Sequence, residues 1–281
     1  MPPSCCSVPA ILSTRRIETR SDRLVTIAVL PMMSCAGRLP IYMMFVSALF
    51  PSRLQAPVLF GIYASGVLLA LCCARLLKNT LFKAPQRDSL HHMKRLRLPS
   101  LRKVGILMWS RAFMYVRKAG TFILGASIIL WFLNTYPRPE ENTAPTNAAA
   151  MEHSYAGQIG HWMEPVTQVA GFDWKINSAL VGAFAAKEIF VTQMGILYAV
   201  EDGNSGPAAQ QTLNARLKAS YTPLQGISIM IFCLIALPCI GTVTVAKREA
   251  GTWWFALAQF GGLTLLGFAT ATLIYQAGLL L

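Results

Sequence analysis

Two long apolar segments of this chain carry charged residues near their centres, and this feature most limits the folds open to it. The first segment, residues 24–52, has Arg38 at its centre with a proline on either side. The second, residues 176–200, has Lys187 and Glu188 between two apolar arms. Proline breaks a helix, and a charge at the centre of a membrane helix costs about 2.5 to 3.5 kcal/mol on insertion scales. We therefore predict two interrupted membrane helices whose unwound backbone lines a path through the protein.

The remaining apolar runs indicate a membrane protein rather than a soluble one. Of the 281 residues, 54% are hydrophobic and 13% are charged. About 20 apolar residues are needed to cross a hydrocarbon core roughly 30 Å thick. Four uncharged runs reach or approach that length: residues 54–74, 119–136, 219–246 and 250–281. The predicted fold class is all-α, a polytopic transmembrane helical protein with two discontinuous helices.

The distribution of charge predicts which loops face the cytoplasm. The formal net charge is +13, and residues 75–118 hold twelve Lys or Arg but one acid, Asp88. Residues 137–175 hold five acids and two bases. The positive-inside rule places the first stretch in the cytoplasm and the second outside, so the charge reflects membrane topology rather than nucleic-acid binding. Strict alternation of sides leaves Lys247 and Arg248 outside, against this rule, and the topology of the C-terminal spans stays open.

Residues 101–118 are predicted to form an amphipathic helix at the membrane interface, because an apolar arc is faced by basic residues that suit anionic lipid headgroups. The alternative is that this stretch is only the basic flank of the next span. The predicted organisation is a first gate segment (1–52), a span (53–77), a basic cytoplasmic loop with the interfacial helix (78–118), a span (119–136), an outer loop (137–175), a second gate segment (176–200), a loop (201–223) and two C-terminal spans (224–281).

Arg38 and Glu188 form a predicted ion pair between the two interrupted helices. An intramembrane charge normally has a partner, and Lys187 and Glu188 point about 100° apart on a helix, so they cannot fully serve each other. Together with Lys187, the pair either gates the path or only pins the two helices together, and both roles stay open.

Soft donor atoms lie close to the prolines. Met33 and Cys35 lie at the first break, Cys239 follows a proline in the sequence PCIGT, which is a possible third break, and Cys6 begins a Cys-x-x-Pro sequence. Fe²⁺ accepts carboxylates such as Glu188, and thiolate ligands discriminate against Mg²⁺ and Ca²⁺. These five residues are therefore candidate metal ligands along a path. The alternative is a packing role, which is the commoner one for an isolated Cys or Met in an apolar span.

The sequence predicts no catalytic or nucleotide-binding site. No Gly-Lys dipeptide occurs, so a Walker A loop is absent, and no nucleophile, base and orienting group fall together. The pattern favours a transporter over an enzyme.

Several long motifs resemble the membrane half of the ferrous iron transport protein B family. CSVPAILSTRRIETRSDRL (6–24) and PMMSCAGRLPIYMMFVSALFP (31–51) resemble its first gate. GFDWKINSALVGAFAAKEIFVTQMGILY (171–198) resembles the second gate, and PCIGTVTVAKREAGTWWFALAQ (238–259) resembles the motif before the last span. RLRLPSLRKVGILMWSRAFMYVRKAGTFILGASIILWFL (95–133) is similar to the linker between them. The resemblance covers nearly the whole chain.

The resemblance implies uptake of Fe²⁺, the transported substrate, across a bacterial inner membrane by the pore part of a GTP-dependent transporter. It puts Cys6, Cys35 and Cys239 at the positions of the family's metal-pathway cysteines, and Glu188 at its gate glutamate. The GTP-binding domain of the family is missing, so GTP is expected to act only through a separate or missing domain. The implied partners are membrane lipids, a GTPase domain or chain, small accessory Feo proteins and further copies of the chain.

Two other functions stay open at this stage. The chain could be a truncated, non-transporting remnant or assembly partner, because the first spans of the family are also missing. It could also be a gate-domain transporter of another small solute, since similar gate motifs occur outside iron transport.

Overall fold

The computed structural model describes residues 6–17, 19–80, 100–137, 152–199, 207–236 and 238–280, and these residues contain helices and no strand. The α-helices are α1 (Ser7–Ser13), α2 (Arg20–Val29), α3 (Leu39–Leu49), α4 (Ser52–Thr80), α5 (Leu101–Thr135), α6 (Tyr155–Thr167), α7 (Trp174–Ala185), α8 (Lys187–Ala199), α9 (Pro207–Ser220), α10 (Pro223–Ile235), α11 (Ile240–Ala250) and α12 (Trp253–Leu280).

The predicted class, an all-α polytopic membrane protein, is confirmed. Within the described residues, four segments are long and apolar enough to cross a membrane, namely Arg20–Leu49, Ser52–Thr80, Pro223–Ala250 and Trp253–Leu280. Much of the surface of α4 and α12 carries exposed large apolar side chains, among them Phe60 and Leu265. Such faces suit lipid, because apolar side chains there need no partner from the protein.

The first interrupted helix is broken as predicted. After α2 the chain makes a 3₁₀ turn at Leu30–Met32, continues extended to Cys35 and makes a second 3₁₀ turn at Ala36–Arg38 before α3 begins. Pro31 has no N–H for a helical bond, whereas the next proline lies in the first turn of α3, where none is needed. The backbone is therefore unwound through the middle of this span.

The second gate segment is interrupted directly before Lys187, as predicted, but its two arms fold back on each other as a re-entrant hairpin instead of continuing as one span. Helices α7 and α8 are joined by the extended residue Ala186, with φ −150° and ψ 133°. The hydroxyl of Tyr221 accepts a hydrogen bond from Tyr198 at 3.0 Å and donates to Asp173 at 2.8 Å, so both ends of the hairpin meet. Helices of 12 and 13 residues reach only about 20 Å, too short for the bilayer core.

The possible third break in PCIGT is confirmed. Helix α10 ends at Ile235, Ala236 is extended, and Cys239 is the N-cap of α11. Leu237 lies outside the described residues. The span Pro223–Ala250 is therefore a second interrupted membrane helix, which takes the place that the prediction gave to the hairpin.

The predicted interfacial helix and the predicted span 119–136 form one continuous helix, α5, of 35 residues. The change from a basic to an apolar stretch within it does not interrupt the backbone hydrogen bonds, because no proline stands there. The loops predicted on either side fall largely on residues 81–99 and 138–151, which lie outside the described residues.

One end of the molecule, here called the basic end, is held together by ion pairs. Glu249 at the end of α11 binds Arg15 and Arg23, each at 2.5 Å, and Asp22 in α2 binds Lys78 of α4 at 2.9 Å. These contacts bring the first turn of α2 and the last turns of α4 and α11 to the same side.

The hairpin ends and Tyr221 lie at the other end, here called the distal end. Because α11 ends beside Arg15 and Arg23, Lys247 and Arg248 lie at the basic end together with the start of the basic loop. In the described residues the end of α11 and the start of the basic loop thus lie on the same side, because the hairpin enters and leaves at the distal end.

Candidate functional site at the helix breaks

The three interruptions of the helices meet in the interior. Gly37, in the first break, lies so close to the hairpin turn that a Cβ added to it would stand 2.9 Å from Oε1 of Glu188 and 3.7 Å from Cβ of Lys187. Lys187 in turn lies within electrostatic range of Cys35, Cys233 and Cys239. The first break, the hairpin turn and the third break therefore form one region, called the central site below.

Arg38 is the most deeply buried charge of the central site. It is 1% exposed, and its Nη1 donates a hydrogen bond to the backbone oxygen of Met33 at 3.3 Å. Its Nε has no partner among the described residues, and the hydroxyls of Ser34 and Tyr42 are likewise buried and unpaired. Tyr42 interacts with both Ser34 and Arg38, although neither contact completes a hydrogen bond of normal geometry.

The predicted ion pair between Arg38 and Glu188 does not form. No carboxylate of the described residues lies within ion-pair distance of Arg38 or Lys187, and Glu188 is exposed. Lys187 is 7% exposed, so two cations are buried here, while the side chain of Glu188 is exposed and lies against Gly37. The reason is positional, because Glu188 and Lys187 point about 100° apart at the start of α8 and only Lys187 faces the core.

The candidate cysteines each begin a helix or a helical turn. Cys35 is the N-cap of the turn Ala36–Arg38, and Cys6 is the N-cap of α1. Cys239 is the N-cap of α11, and its Sγ lies 3.2 Å from Oγ1 of Thr242. Backbone N–H groups at such positions favour a negatively charged side chain.

Cys6 and Cys239 lie at the same level of the molecule. A Cβ added to Gly241 would lie 3.8 Å from Val8, and the Arg15–Glu249 pair joins the other ends of the same two helices. Helices α1 and α11 are therefore parallel, and their N-caps are side by side.

The soft donors surround the central site without forming a ready-made metal centre. In the part of the chain that the structure describes, no group of three or more His, Cys, Asp or Glu side chains is placed to hold a metal ion. Met33 packs against the main core, and its carbonyl accepts the hydrogen bond from Arg38. Of the five candidate metal ligands, three border the central site, namely Cys35, Cys239 and Glu188. They do not come together as ligands of one metal ion.

Sequence reasoning missed three members of this region: Ser34, Tyr42 and Cys233. Cys233 is buried and lies within electrostatic range of both Arg38 and Lys187. The spacing of Tyr42 from Arg38, four residues along the chain, was a usable signal, because such residues share a helix face.

Comparisons with known proteins identify the relatives of this chain. Residues 116–253 match the family described as Gate, nucleoside recognition, and residues 59–111 match the family described as ferrous iron transport protein B C terminus. No solved structure matches.

Three relatives illustrate the similarity. The Fe(2+) transporter FeoB of Campylobacter jejuni is 37% identical over 91% of this chain and 42% of its own length. The Fe(2+) transporter FeoB of Methanocaldococcus jannaschii is 35% identical over 98% of this chain and 40% of its own length. The Fe(2+) transport protein A/Fe(2+) transporter FeoB fusion protein of Porphyromonas gingivalis is 35% identical over 98% of this chain and 37% of its own length.

The chain thus spans about two fifths of the length of these relatives. Both family matches and the four apolar helices indicate the membrane portion of these relatives. The chain belongs to the FeoB family, as its C-terminal membrane portion.

Proposed function

We propose that this chain is the membrane part of a ferrous iron transporter and that Fe²⁺ passes through the central site. The observation that supports this most is the meeting of two interrupted membrane helices and a re-entrant turn in the interior, with Cys35 and Cys239 at its edge. Unwound backbone is tolerated at membrane depth where it lines a path, because its carbonyl groups then find partners in the permeating ion or in water.

The donor set fits a transported ion better than a stored one. Cys6, Cys35 and Cys239 offer thiolates, Met33 a thioether and Glu188 a carboxylate, and Fe²⁺ accepts all three types. Conduction requires binding that is strong enough for entry and weak enough for exit. We assign these five residues to a path in which the ion moves between partial sites, and we assign Arg38 and Lys187 to its gating charges.

The basic end is assigned to the cytoplasm and the distal end to the outside of a bacterial inner membrane. The supporting observation is that Arg15, Arg23, Lys78 and the Lys247–Arg248 pair lie on the side from which the basic loop continues. Positively charged loops next to membrane helices are retained on the cytoplasmic side.

We further propose that GTP acts on this membrane part through a separate domain or chain. The relatives are more than twice as long as the part of them that matches here, so they have room for such a domain. The name of the Porphyromonas gingivalis relative joins an Fe(2+) transport protein A to a FeoB, which supports a small accessory protein as a partner. Association with further copies of the chain is part of the same proposal.

Uptake of ⁵⁵Fe²⁺ by proteoliposomes containing the full chain, with and without a GTPase partner, tests the transport function. Cys35→Ser and Cys239→Ser are each expected to lower the initial rate at least about tenfold, because metal sites are this sensitive to the loss of a ligand or its support. Cys72→Ser is the matched control, since Cys72 is exposed on α4 away from the central site. Equal rates in all three variants would contradict the assigned path, and no uptake by the wild type in either setting would favour a non-transporting assembly partner.

A second candidate function is transport of a nucleoside or a related small solute, which the match of residues 116–253 to the nucleoside-recognition family favours. Competition separates the two candidates. Inhibition of iron uptake by Mn²⁺ or Co²⁺ but not by nucleosides supports the metal path. Inhibition by nucleosides, or saturable uptake of a labelled nucleoside, supports the alternative.

A further inference from the structure

The central site contains polar groups that all lack an acceptor. Nε of Arg38 and the hydroxyl oxygens of Ser34 and Tyr42 are buried without a hydrogen-bond partner among the described residues. Lys187 lies beside them, is 7% exposed and forms no ion pair with a carboxylate of the described residues. A buried donor left unsatisfied costs about 1 to 3 kcal/mol, and more when it is charged. Each such group in a folded protein therefore calls for a missing partner.

These four groups are close to one another. Tyr42 interacts with Ser34 and with Arg38, and Arg38 interacts with Lys187 across the approach of Gly37 to the hairpin turn. Tyr42 is 0% exposed and Arg38 1%, so their polar atoms cannot reach bulk water without a conformational change.

The helices around this cluster add to its positive potential. Helices α3 and α8, of 11 and 13 residues, both begin at the central site, at Leu39 and Lys187. The first N–H groups of a helix carry a partial positive charge and bind anions. Two buried cations and two helix N-termini therefore point at the same place.

In the described residues no carboxylate forms an ion pair with Arg38 or Lys187, although Oε1 of Glu188 lies close to Gly37. Glu188 is exposed and pairs with neither cation, and the other acids of the described ion pairs lie at the basic or distal end. Burying an ion without a counter-charge is far costlier than burying a pair. An acceptor that comes from solution would satisfy both the charge and the orphaned donors.

We infer that a small inorganic anion of the chloride class binds between Ser34, Arg38, Tyr42 and Lys187. One side of the guanidinium is engaged, because Nη1 donates to the carbonyl of Met33. Nε is the guanidinium nitrogen that is both buried and without a partner among the described residues, and a single such donor suits a monatomic anion better than the two-pronged contact that holds a carboxylate or a phosphate. This inference does not depend on the transport of iron.

Thermal unfolding of the purified full chain in detergent tests the site, with chloride replaced by gluconate at constant ionic strength and tryptophan fluorescence as the readout. Chloride and bromide are expected to raise the midpoint in a saturable way, because a ligand that binds only the folded state stabilises it by mass action. Lys187→Met is expected to lose the saturable rise. Lys218→Met, an exposed lysine of α9, is expected to keep it.

Tyr42→Phe and Ser34→Ala keep the test decisive if Lys187→Met does not fold. Each removes one orphaned hydroxyl, so each is expected to raise the half-saturating chloride concentration, by about tenfold for one good hydrogen bond to an anion. In gluconate the same variants are expected to unfold at the wild-type temperature or above, because an unsatisfied group has been removed.

Three results would overturn the inference. The first is a wild-type midpoint that does not respond to halide, which would mean that water or a thiolate of the chain itself supplies the acceptor. The second is a response to halide that the Lys187→Met variant retains. The third is a half-saturating chloride concentration that Tyr42→Phe and Ser34→Ala leave unchanged.

Discussion

The basic end and the central site both hold buried charge, yet they treat it in opposite ways. At the basic end the side chain of Glu249 is 2% exposed and is bound by two arginines, Arg15 just after α1 and Arg23 in α2. At the central site Arg38 and Lys187 are as deeply buried, and no described residue balances them. The same chain thus satisfies one set of charges internally and leaves the other set for a partner from outside.

The difference separates charges that join distant segments of the chain from charges that form no ion pair among the described residues. The Glu249 cluster joins segments more than 220 positions apart, so it fixes how α1, α2 and α11 assemble. Arg38 and Lys187 join nothing by ion pairing, and their burial is a cost that the rest of the fold must offset. Unbalanced charge within a membrane protein is typical of ion and substrate paths.

The largest effect is expected in the labelling of cysteines from one side of the membrane. In the proposed topology the basic end and the distal end lie on opposite sides, with the central site between them. In spheroplasts, a membrane-impermeant maleimide is expected to label Lys218→Cys, near the distal end, over the background of the native cysteines. Arg248→Cys, at the basic end, is expected to react only after permeabilisation. Labelling of both from the same side would break the proposed topology, including the re-entrant hairpin.

The next largest effect is expected from Glu249→Gln, which removes the negative charge between Arg15 and Arg23. Breaking the cluster leaves the two arginines without their counter-charge, and their partial exposure to solvent limits the resulting loss of stability. The thermal midpoint in detergent measures it. Glu152→Gln is the control, because its only described ion pair is with His161 at 3.5 Å on the surface. Equal midpoints for the two variants would show that the cluster does not hold the basic end.

A smaller effect is expected at the distal end, where the stability of the protein should fall as the pH rises. Burial raises the pKa of Asp173, partly opposed by hydrogen bonds from the N–H of Ile176 and the hydroxyl of Tyr221. The folded state therefore holds this proton more tightly than the unfolded state. Its contribution to stability is full below the ordinary pKa of 3.8 and is lost as the pH rises through the raised value.

Asp173→Asn measures that contribution, because asparagine still caps α7 but does not titrate in this range. The midpoint of the wild type is expected to fall faster with rising pH than that of the variant. Parallel pH profiles would mean that burial does not raise the pKa of Asp173 in the folded state.

The breaks could be predicted from the sequence because their cause is local. Pro31 removes a helical hydrogen bond wherever the helix lies, and the proline of PCIGT does the same before Cys239. The family motifs identified the chain for the same reason, since they are ordered stretches of the sequence itself. These two sources gave the fold class and the positions of two interruptions.

The meeting of the first break with the segment around Lys187 agrees with the sequence, whereas the fold-back of that segment into a hairpin could not be predicted because its cause is not local. An apolar segment with a central charge looks the same whether it crosses the membrane or turns back within it. What decides is the pair of hydrogen bonds of Tyr221, to partners 23 and 48 positions away. The expected pair of Arg38 with Glu188 failed similarly, because opposite charge in the sequence does not say which side of α8 faces the core.

The smallest effect on stability is expected where the charge is most buried. Arg38→Met removes an unbalanced cation and one hydrogen bond to Met33, and we expect the stability to change by no more than about 1 kcal/mol in halide-free buffer. Arg23→Met is the matched control, because it makes the same substitution at the basic end and strips Glu249 of one partner. The control is expected to unfold at the lower temperature, although Arg23 is the more exposed of the two arginines. If Arg38→Met is the more destabilised variant, Arg38 holds the fold together as Arg23 does, and the distinction between paired and unbalanced charge fails.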